Sequence, residues 1–220
     1  MATATSDYDV YWVLADEVYD RRRAPGVPLL ARREPPDQPP VDLVYVCQRD
    51  LDRLPTMPGW WTYGYATARV LLDKTGAIAP AIEAIRTMSE EKSRADVVGW
   101  FDAYANALVR SMEAGWRGNE LGARLHAGDS AGHLVRVLFS LERRWTPYHD
   151  RLAPQLSTLA EQGWPDGYLH NTLLRLVTTP DPRLQLELAT RVETLLRTRG
   201  FGSAVDGWAA QIEHLRGSAG

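Results

Sequence analysis

Two aspartates, Asp7 and Asp9, stand two positions apart at the start of a run of β-branched and aromatic residues, 10–14. Because successive side chains of a strand alternate between faces, both carboxylates would point the same way and could bind one divalent cation. Mg²⁺ prefers such oxygen ligands, whereas two carboxylates without a cation repel each other. Aspartate is also common in the turn before an ordinary strand. The pair alone therefore leaves a metal site and a turn open.

A third carboxylate, Asp42, lies near the start of a second strongly β-forming run, 41–47. A charge is a poor choice for a buried strand, because an isolated ion in a low dielectric is costly. If this strand lies beside the first, Asp42 can complete a site of three carboxylates. The alternation places Asp42, Val44 and Val46 on one face, but it does not tell which face that is.

Segments 6–14, 41–46 and 68–76 together resemble the DNA polymerase beta-type nucleotidyltransferase superfamily. Within it, they are similar to the bacterial aminoglycoside and lincosamide nucleotidyltransferase-like branch. The resemblance covers residues 6 to 90 and implies an α+β fold, with a small mixed β-sheet nucleotidyltransferase domain followed by an α-helical bundle domain. In that family two acids separated by a single residue and a third acid on a neighbouring strand hold two Mg²⁺ ions. A strand-Asp-Lys-Thr-Gly turn, here 72–76, often closes the sheet.

The resemblance also assigns roles to single residues. Asp7, Asp9 and Asp42 would be the metal ligands, and Asp42 would be the catalytic residue that takes the proton of an acceptor hydroxyl. Ser6 would lie where nucleotide or acceptor binds. Glu142, Arg143 and Arg144 stand in a segment that resembles a helix end of such helical domains, and they would contact nucleotide or acceptor. Alternatively these three cap a helix C-terminus, where cations are favoured.

One departure from the family concerns the phosphate-binding turn. The family carries a Gly-Ser pair ten or more residues before its two acids, whereas only five residues precede Ser6. The Gly-Ser pairs at 202–203 and 217–218 lie in the helical part and cannot replace it. The expectation is a catalytic domain that is incomplete at its N-terminus, either because the start was placed late or because the protein is a truncated, inactive member. The intact helical part favours the first interpretation.

Composition limits the functional class. The chain has 220 residues and a net charge of −3, with a pI near 6.0, which argues against a general nucleic-acid binder. A single cysteine, Cys47, excludes a disulfide framework and a cysteine-based zinc site, and its apolar neighbours indicate a buried thiol. Neither an apolar run of membrane-spanning length nor a basic-then-apolar leader is present, so a cytoplasmic protein without membrane partners is expected.

The hydrophobic pattern predicts a domain boundary in 88–95, with a catalytic domain at 1–90 and a helical domain at 91–220. In the first domain we expect a helix or loop at 15–23, a strand within 27–33, a helix at 49–54 and a helix from 78, and the resemblance implies a strand at 68–72 before the turn. In the second we expect four to six helices, with segments at 97–116, 134–141 (stopped at Pro147), 154–162, 168–177, 183–199 and 204–215.

Two further clusters have alternative interpretations. The basic run 21–23 could bind phosphates, or it could be a solvated loop. The aromatic run 59–65 could stack on a base, or it could pack against the sheet and between domains. His126 and His133 have no partner at a metal-ligand spacing, and are expected to be ordinary surface or core histidines.

The sequence thus predicts a Mg²⁺-dependent nucleotidyltransferase that moves a nucleoside monophosphate from a nucleoside triphosphate, with ATP as the expected donor, to an acceptor hydroxyl. The alternative is a catalytically inactive, truncated nucleotidyltransferase-like protein that acts as a binding or antitoxin-type partner. The expected partners are a nucleoside triphosphate, a hydroxyl acceptor and, as an open alternative, a second copy of the chain.

Overall fold

The computed structural model describes residues 7–23, 30–34, 38–57 and 59–218. The chain divides into two compact units, Met1–Ile85 and Arg86–Gly220. The first unit contains a small mixed sheet and short helices, and the second is helical. This agrees with the α+β fold class that the resemblance implies.

The described sheet has three strands in the order β1-β3-β2. Strand β1 is Tyr8–Leu14, β2 is Leu30–Arg33 and β3 is Val41–Cys47. β1 pairs with β3 in parallel, and β2 pairs with β3 in the antiparallel sense. Both acidic runs are therefore strands and neighbours. The strand expected within 27–33 is confirmed for 30–33, and its first residues lie outside the described part of the chain.

Short helices connect and follow these strands: α1 is Asp16–Arg22, α2 is Gln48–Arg53 with a 3-10 turn at Leu54–Thr56, α3 is Gly59–Ala66 and α4 is Ile78–Ile85. The helices expected at 49–54 and from 78 are thus present. Cys47 is fully buried at the start of α2, where its thiol donates a hydrogen bond to an Asp50 oxygen at 2.9 Å.

The strand expected at 68–72 is wrong, since these residues form no regular structure. Leu71 and Leu72 are 76% and 67% exposed. Their apolar composition favours a strand, but they pair with none of the described strands, and a strand needs a partner for its backbone hydrogen bonds. The Asp-Lys-Thr-Gly turn that follows is present, and the Asp73 carboxylate accepts from the backbone N–H groups of Gly76, Ile78 and Ala79 at 2.8–3.0 Å.

The second unit is built on two long antiparallel helices, α5 (Glu90–Trp116) and α6 (Glu120–Leu141). Their contact is fastened near both ends, because Ser93 Oγ donates to the carbonyl of Ser140 at 2.7 Å and Ser111 Oγ donates to that of Ala123 at 2.9 Å. The predicted apolar stripe of α5 is buried at the following positions: Val97, Phe101, Tyr104, Ala105, Leu108 and Met112. Val98 and Trp116 were also assigned to it but are exposed.

The remaining helices are α7 (His149–Leu156) with a 3-10 segment at Ser157–Gln162, α8 (Tyr168–Thr178), α9 (Pro182–Thr198), α10 (Gly202–Asp206) and α11 (Ala209–Ser218). The described residues of this unit thus form seven α-helices rather than four to six. None of the helices in the described part of the chain is both long and apolar enough to cross a membrane.

Three predicted helix boundaries in this unit are wrong. The helix expected to start at Pro154 begins at His149 and holds this proline in its last turn. The helix expected at 204–215 is broken around Gly207, because glycine disfavours the helical conformation. The helix expected to continue to Pro147 already ends at Leu141, because Arg143 takes up a left-handed backbone conformation with a φ of 54°.

Candidate active site

The three candidate metal ligands lie on one face of the sheet. Asp9 of β1 stands directly opposite Asp42 of β3 in the parallel register. Residues paired in this way point to the same side of the sheet, and Asp7, two positions before Asp9, points to that side as well. The structure therefore brings together the carboxylates that the sequence singled out, and we call this surface the carboxylate face.

A fourth charged residue, Arg32 of β2, joins the carboxylate face. It pairs with Asp42 in the antiparallel register, so its side chain points to the same side. Its Nη1 donates to both oxygens of Asp42, at 3.2 and 3.3 Å, and to Oδ2 of Asp7 at 3.4 Å. Its Nε donates to Glu34 at 3.1 Å. One guanidinium thus bridges the first and third aspartates of the predicted site.

The bridge lies at the surface. The side chain of Arg32 is 48% exposed and that of Asp7 is 43% exposed, whereas that of Asp42 is 19% exposed. The hydrogen bond to Glu34, followed by the charge of Asp42 and the hydrogen bond to Asp7, raises the pKa of Arg32. The guanidinium is therefore permanently cationic. Exposed ion pairs of this kind contribute little to stability, so the bridge can open at little cost.

The donor chemistry of the carboxylate face suits Mg²⁺, which prefers carboxylate oxygens. As placed, however, the described residues include no group of three or more His, Cys, Asp or Glu that could hold a metal ion. The cation among these carboxylates is the guanidinium of Arg32. The assignment of Asp7, Asp9 and Asp42 as metal ligands stays a prediction, and Ser6 lies outside the residues that the structure describes.

The aromatic run 59–65 forms helix α3 and packs beside the carboxylate face. The ring of Tyr65 lies 4.5 Å from the ring of Tyr11, two positions after Asp9 on the same face of β1. Tyr65 is buried, so it contributes to packing on the sheet, while Trp61 is exposed. This arrangement agrees with the packing interpretation for Tyr65.

The basic run 21–23 lies at the end of α1. The guanidinium of Arg22 sits over the ring of Tyr45, 4.8 Å from its centroid. Because Tyr45 is an odd number of positions from Asp42 on β3, it points to the opposite face of the sheet. Arg22 is thus on the far side of the sheet from the carboxylates, and Arg32 is the basic residue at the candidate site. Sequence reasoning missed Arg32, although a charge inside an expected strand was a usable signal.

The segment at the end of α6 is held by internal bonds. Arg143 fills the position after the helix C-cap, where its N–H bonds to the carbonyl of Ser140 at 2.9 Å and that of Arg144 bonds to the carbonyl of Phe139 at 3.0 Å. This pattern is a Schellman motif, which normally places glycine at such a residue. Two bonds of 2.8 Å link Arg143 to Met88, one from Nε to the Met88 carbonyl and one from the Met88 N–H to the Arg143 carbonyl.

Glu142 and Arg144 also have partners within the helical unit. Glu142 accepts from Gln162 at 3.0 Å and from Arg199 at 2.6 Å. Arg144 donates to Thr158 and Gln155, both at 2.8 Å. These contacts agree with the interpretation that the segment caps and anchors a helix, and a role in binding nucleotide or acceptor stays a prediction.

Of the two histidines singled out, His133 of α6 has the more unusual surroundings. Its ring stacks on Trp100 with 5.6 Å between centroids, and the guanidinium of Arg136 lies 4.8 Å from the same indole. Its Nδ1 is buried without a hydrogen-bond partner among the described residues. Burial, and then the charge of Arg136, lower the pKa of His133 despite an opposite effect of Asp129. These surroundings therefore favour the neutral form of the ring.

Comparisons with known proteins add little. No protein-family model matches the chain, and no curated protein matches it. Among solved structures, a nucleotidyltransferase-like protein from Exiguobacterium sibiricum 255-15 is similar over 87% of this chain and 67% of its own length. The TM-score is 0.38 and the sequence identity is 15%. A likeness at this level defines neither the family nor the activity, so the functional argument rests on the residues of the carboxylate face.

Proposed function

We propose that this chain is a nucleotidyltransferase that uses the carboxylate face to bind a nucleoside triphosphate, with ATP as the expected donor, together with Mg²⁺. The observation that carries the proposal is the register of β1 and β3, in which Asp9 and Asp42 stand opposite each other. Two adjacent strands thereby present acids on one face, as the resemblance of segments 6–14 and 41–46 to nucleotidyltransferases implies. The acceptor would be a hydroxyl group.

In this proposal Asp7, Asp9 and Asp42 hold the two expected Mg²⁺ ions, which neutralise charge on the reacting phosphate oxygens when bound. The acceptor hydroxyl forms a bond to the α-phosphorus, the bond from that phosphorus to the bridging oxygen breaks, and pyrophosphate leaves. Asp42 takes the hydroxyl proton. Its side chain is less exposed than that of Asp7, with 19% against 43%, which suits a base partly shielded from water.

The test is isothermal titration with an ATP analogue in which a methylene group replaces the α,β-bridging oxygen, with and without Mg²⁺. We expect binding that requires Mg²⁺ and is lost in Asp42→Asn. The matched control is Asp52→Asn, which changes an exposed aspartate of α2. Binding that is independent of Mg²⁺, or that survives in Asp42→Asn, would contradict the proposal.

A second candidate function is a catalytically inactive, nucleotidyltransferase-like protein that works as a binding or antitoxin-type partner. The observation in its favour is the guanidinium of Arg32, which occupies the space between Asp7 and Asp42. Under this alternative the bridge is permanent and the carboxylate face is structural. Absence of analogue binding in the presence of Mg²⁺ would favour it.

A further inference from the structure

We propose that Arg32 is a built-in competitor for divalent cations at the carboxylate face, so that it lowers the affinity of this face for the free ion. The inference rests on the proposed function in placing cations at Asp7, Asp9 and Asp42. It concerns Arg32, which neither the sequence pattern nor any resemblance assigned to the site.

Arg32 occupies the carboxylate oxygens of the face. A single nitrogen of Arg32, Nη1, contacts three carboxylate oxygens from two aspartates at 3.2–3.4 Å. These are oxygens that a cation bound between Asp7 and Asp42 would need. A guanidinium in the space between Asp7 and Asp42 excludes a metal ion from that space, because both are positively charged and both compete for the same carboxylate oxygens. Binding of the ion therefore requires Arg32 to withdraw.

Arg32 also reduces the negative charge of the carboxylate face. Asp7, Asp9 and Asp42 carry three negative charges when ionised, and Arg32 returns one positive charge to the same surface. Removal of the guanidinium would strengthen the attraction for a divalent ion and would also free the oxygens it occupies. Both effects act in the same direction, so an uncharged residue at position 32 should give tighter cation binding.

Of the two arginines of β2, Arg32 faces the carboxylates and Arg33 does not. The antiparallel register holds Arg32 opposite Asp42, while the next residue, Arg33, is opposite Val41 and points to the other face. Arg33 is exposed and belongs to the same strand. Substitution of Arg33 changes the net charge by the same amount without touching the carboxylate face, which makes it a matched control.

A triphosphate gives the displaced guanidinium a new anionic partner. Arginine pairs strongly with phosphate oxygens, so a metal-triphosphate complex can exchange partners with the face: the ion goes to the carboxylates and Arg32 goes to phosphate. The wild-type chain should then bind Mg²⁺ poorly by itself and much better with nucleotide.

The experiment is calorimetric titration of Mg²⁺ alone into the wild-type chain, Arg32→Met and Arg33→Met, with circular dichroism to verify that each is folded. We expect Arg32→Met to bind Mg²⁺ at least about fivefold more tightly than the other two. Equal affinities in all three chains would overturn the inference. Arg32→Gln, which keeps a polar side chain, replaces Arg32→Met if the latter does not fold.

A second titration separates this inference from the proposed function. The methylene ATP analogue is added with Mg²⁺ to the same three chains, and it should raise the Mg²⁺ affinity of the wild type and of Arg33→Met more than that of Arg32→Met. If no chain binds the analogue while Arg32→Met still binds Mg²⁺ more tightly, the nucleotidyltransferase proposal fails and the competitor role of Arg32 stands.

Discussion

Asp9 and Asp42 are register partners on parallel strands, so their carboxylates share a face because of backbone pairing alone. The candidate site consequently depends on the exact alignment of β1 with β3. A slip of one residue would move the carboxylate of Asp42 to the opposite face of the sheet, away from Asp7 and Asp9. The antiparallel pairing of β2 with β3 adds Arg32 to the same surface by the same rule.

Replacement of Asp9 by alanine should abolish nucleotidyl transfer without unfolding the protein. Asp9 is exposed, so its loss leaves no buried cavity. In the proposed function Asp9 is a metal ligand, and its loss would remove charge neutralisation that is typically equivalent to several kcal/mol, or at least about a hundredfold in rate. The measurement is transfer of α-labelled nucleotide, with the thermal unfolding midpoint and Asp52→Ala as controls. Wild-type activity in Asp9→Ala would remove Asp9 from the site.

Substitution of Arg143 separates its backbone role from its side-chain role. Arg143→Ala keeps an unfavourable left-handed residue and loses the bond from Nε to the Met88 carbonyl, so it should destabilise the fold by about 1–2 kcal/mol. Arg143→Gly loses the same bond but relieves the backbone, and should therefore be less destabilised than the alanine variant. Urea unfolding of the three chains measures both differences. An alanine variant as stable as the wild type would show that the hydrogen bond from Arg143 Nε to the Met88 carbonyl contributes nothing to stability.

Asp73 should stabilise the first unit in a pH-dependent way. The N–H of Ala79 above all, together with those of Gly76 and Ile78 and the Thr75 hydroxyl, lowers the pKa of Asp73 below its ordinary value of 3.8. Its contribution to stability is therefore present above that value and is lost as the pH falls through the lower folded-state pKa. Asp73→Ala should unfold at a lower temperature than the wild type at pH 7, and the difference should shrink in acid. Lys74→Ala, beside it in the same turn, should behave like the wild type throughout.

His133 should make the helical unit less stable in mild acid. The pKa of His133 lies below its ordinary value of 6.5 in the folded chain, so the unfolded chain takes up the proton first. Stability is then complete above about pH 6.5 and declines as the pH falls through the folded-state pKa. His133→Phe should lose less of its unfolding temperature between pH 7 and pH 5 than the wild type does. His214→Phe changes an exposed histidine of α11 and should retain the wild-type slope.

The sequence was informative where side-chain period and residue type agree. Asp42 drew attention because a lone charge in a β-forming run needs a reason, and the alternation placed it with Val44 and Val46. Its position beside β1 was only a condition, which the parallel pairing of the two strands meets. Arg32 was missed although its charge lies inside an expected strand, because only the register of β2 against β3 places it beside Asp42. The strand expected at 68–72 failed for a related reason: its composition favours a strand, but strand formation depends on a partner elsewhere in the chain.

Helix ends show the same limit on a smaller scale. The end of α6 at Leu141 depends on Arg143 in a conformation that glycine usually adopts, so the residue type gave no signal. The break between α10 and α11 lies at Gly207. A single glycine inside an apolar helical period was too weak a signal to divide the predicted helix. Both boundaries are decided by how the chain packs after the helix, and propensity alone does not contain that information.

The hairpin of α5 and α6 has a consequence for the order of folding. Only three residues, 117–119, separate its two helices, and Gly118 with a φ of 72° turns the chain. Contacts between elements so close in sequence form with little loss of chain entropy, so this pair should assemble first and serve as the nucleus of the helical unit.

Leu134→Ala in α6 should then mainly slow refolding, while Leu196→Ala in α9 should mainly speed unfolding. The helices that follow α6 would fold onto a pair that has already formed.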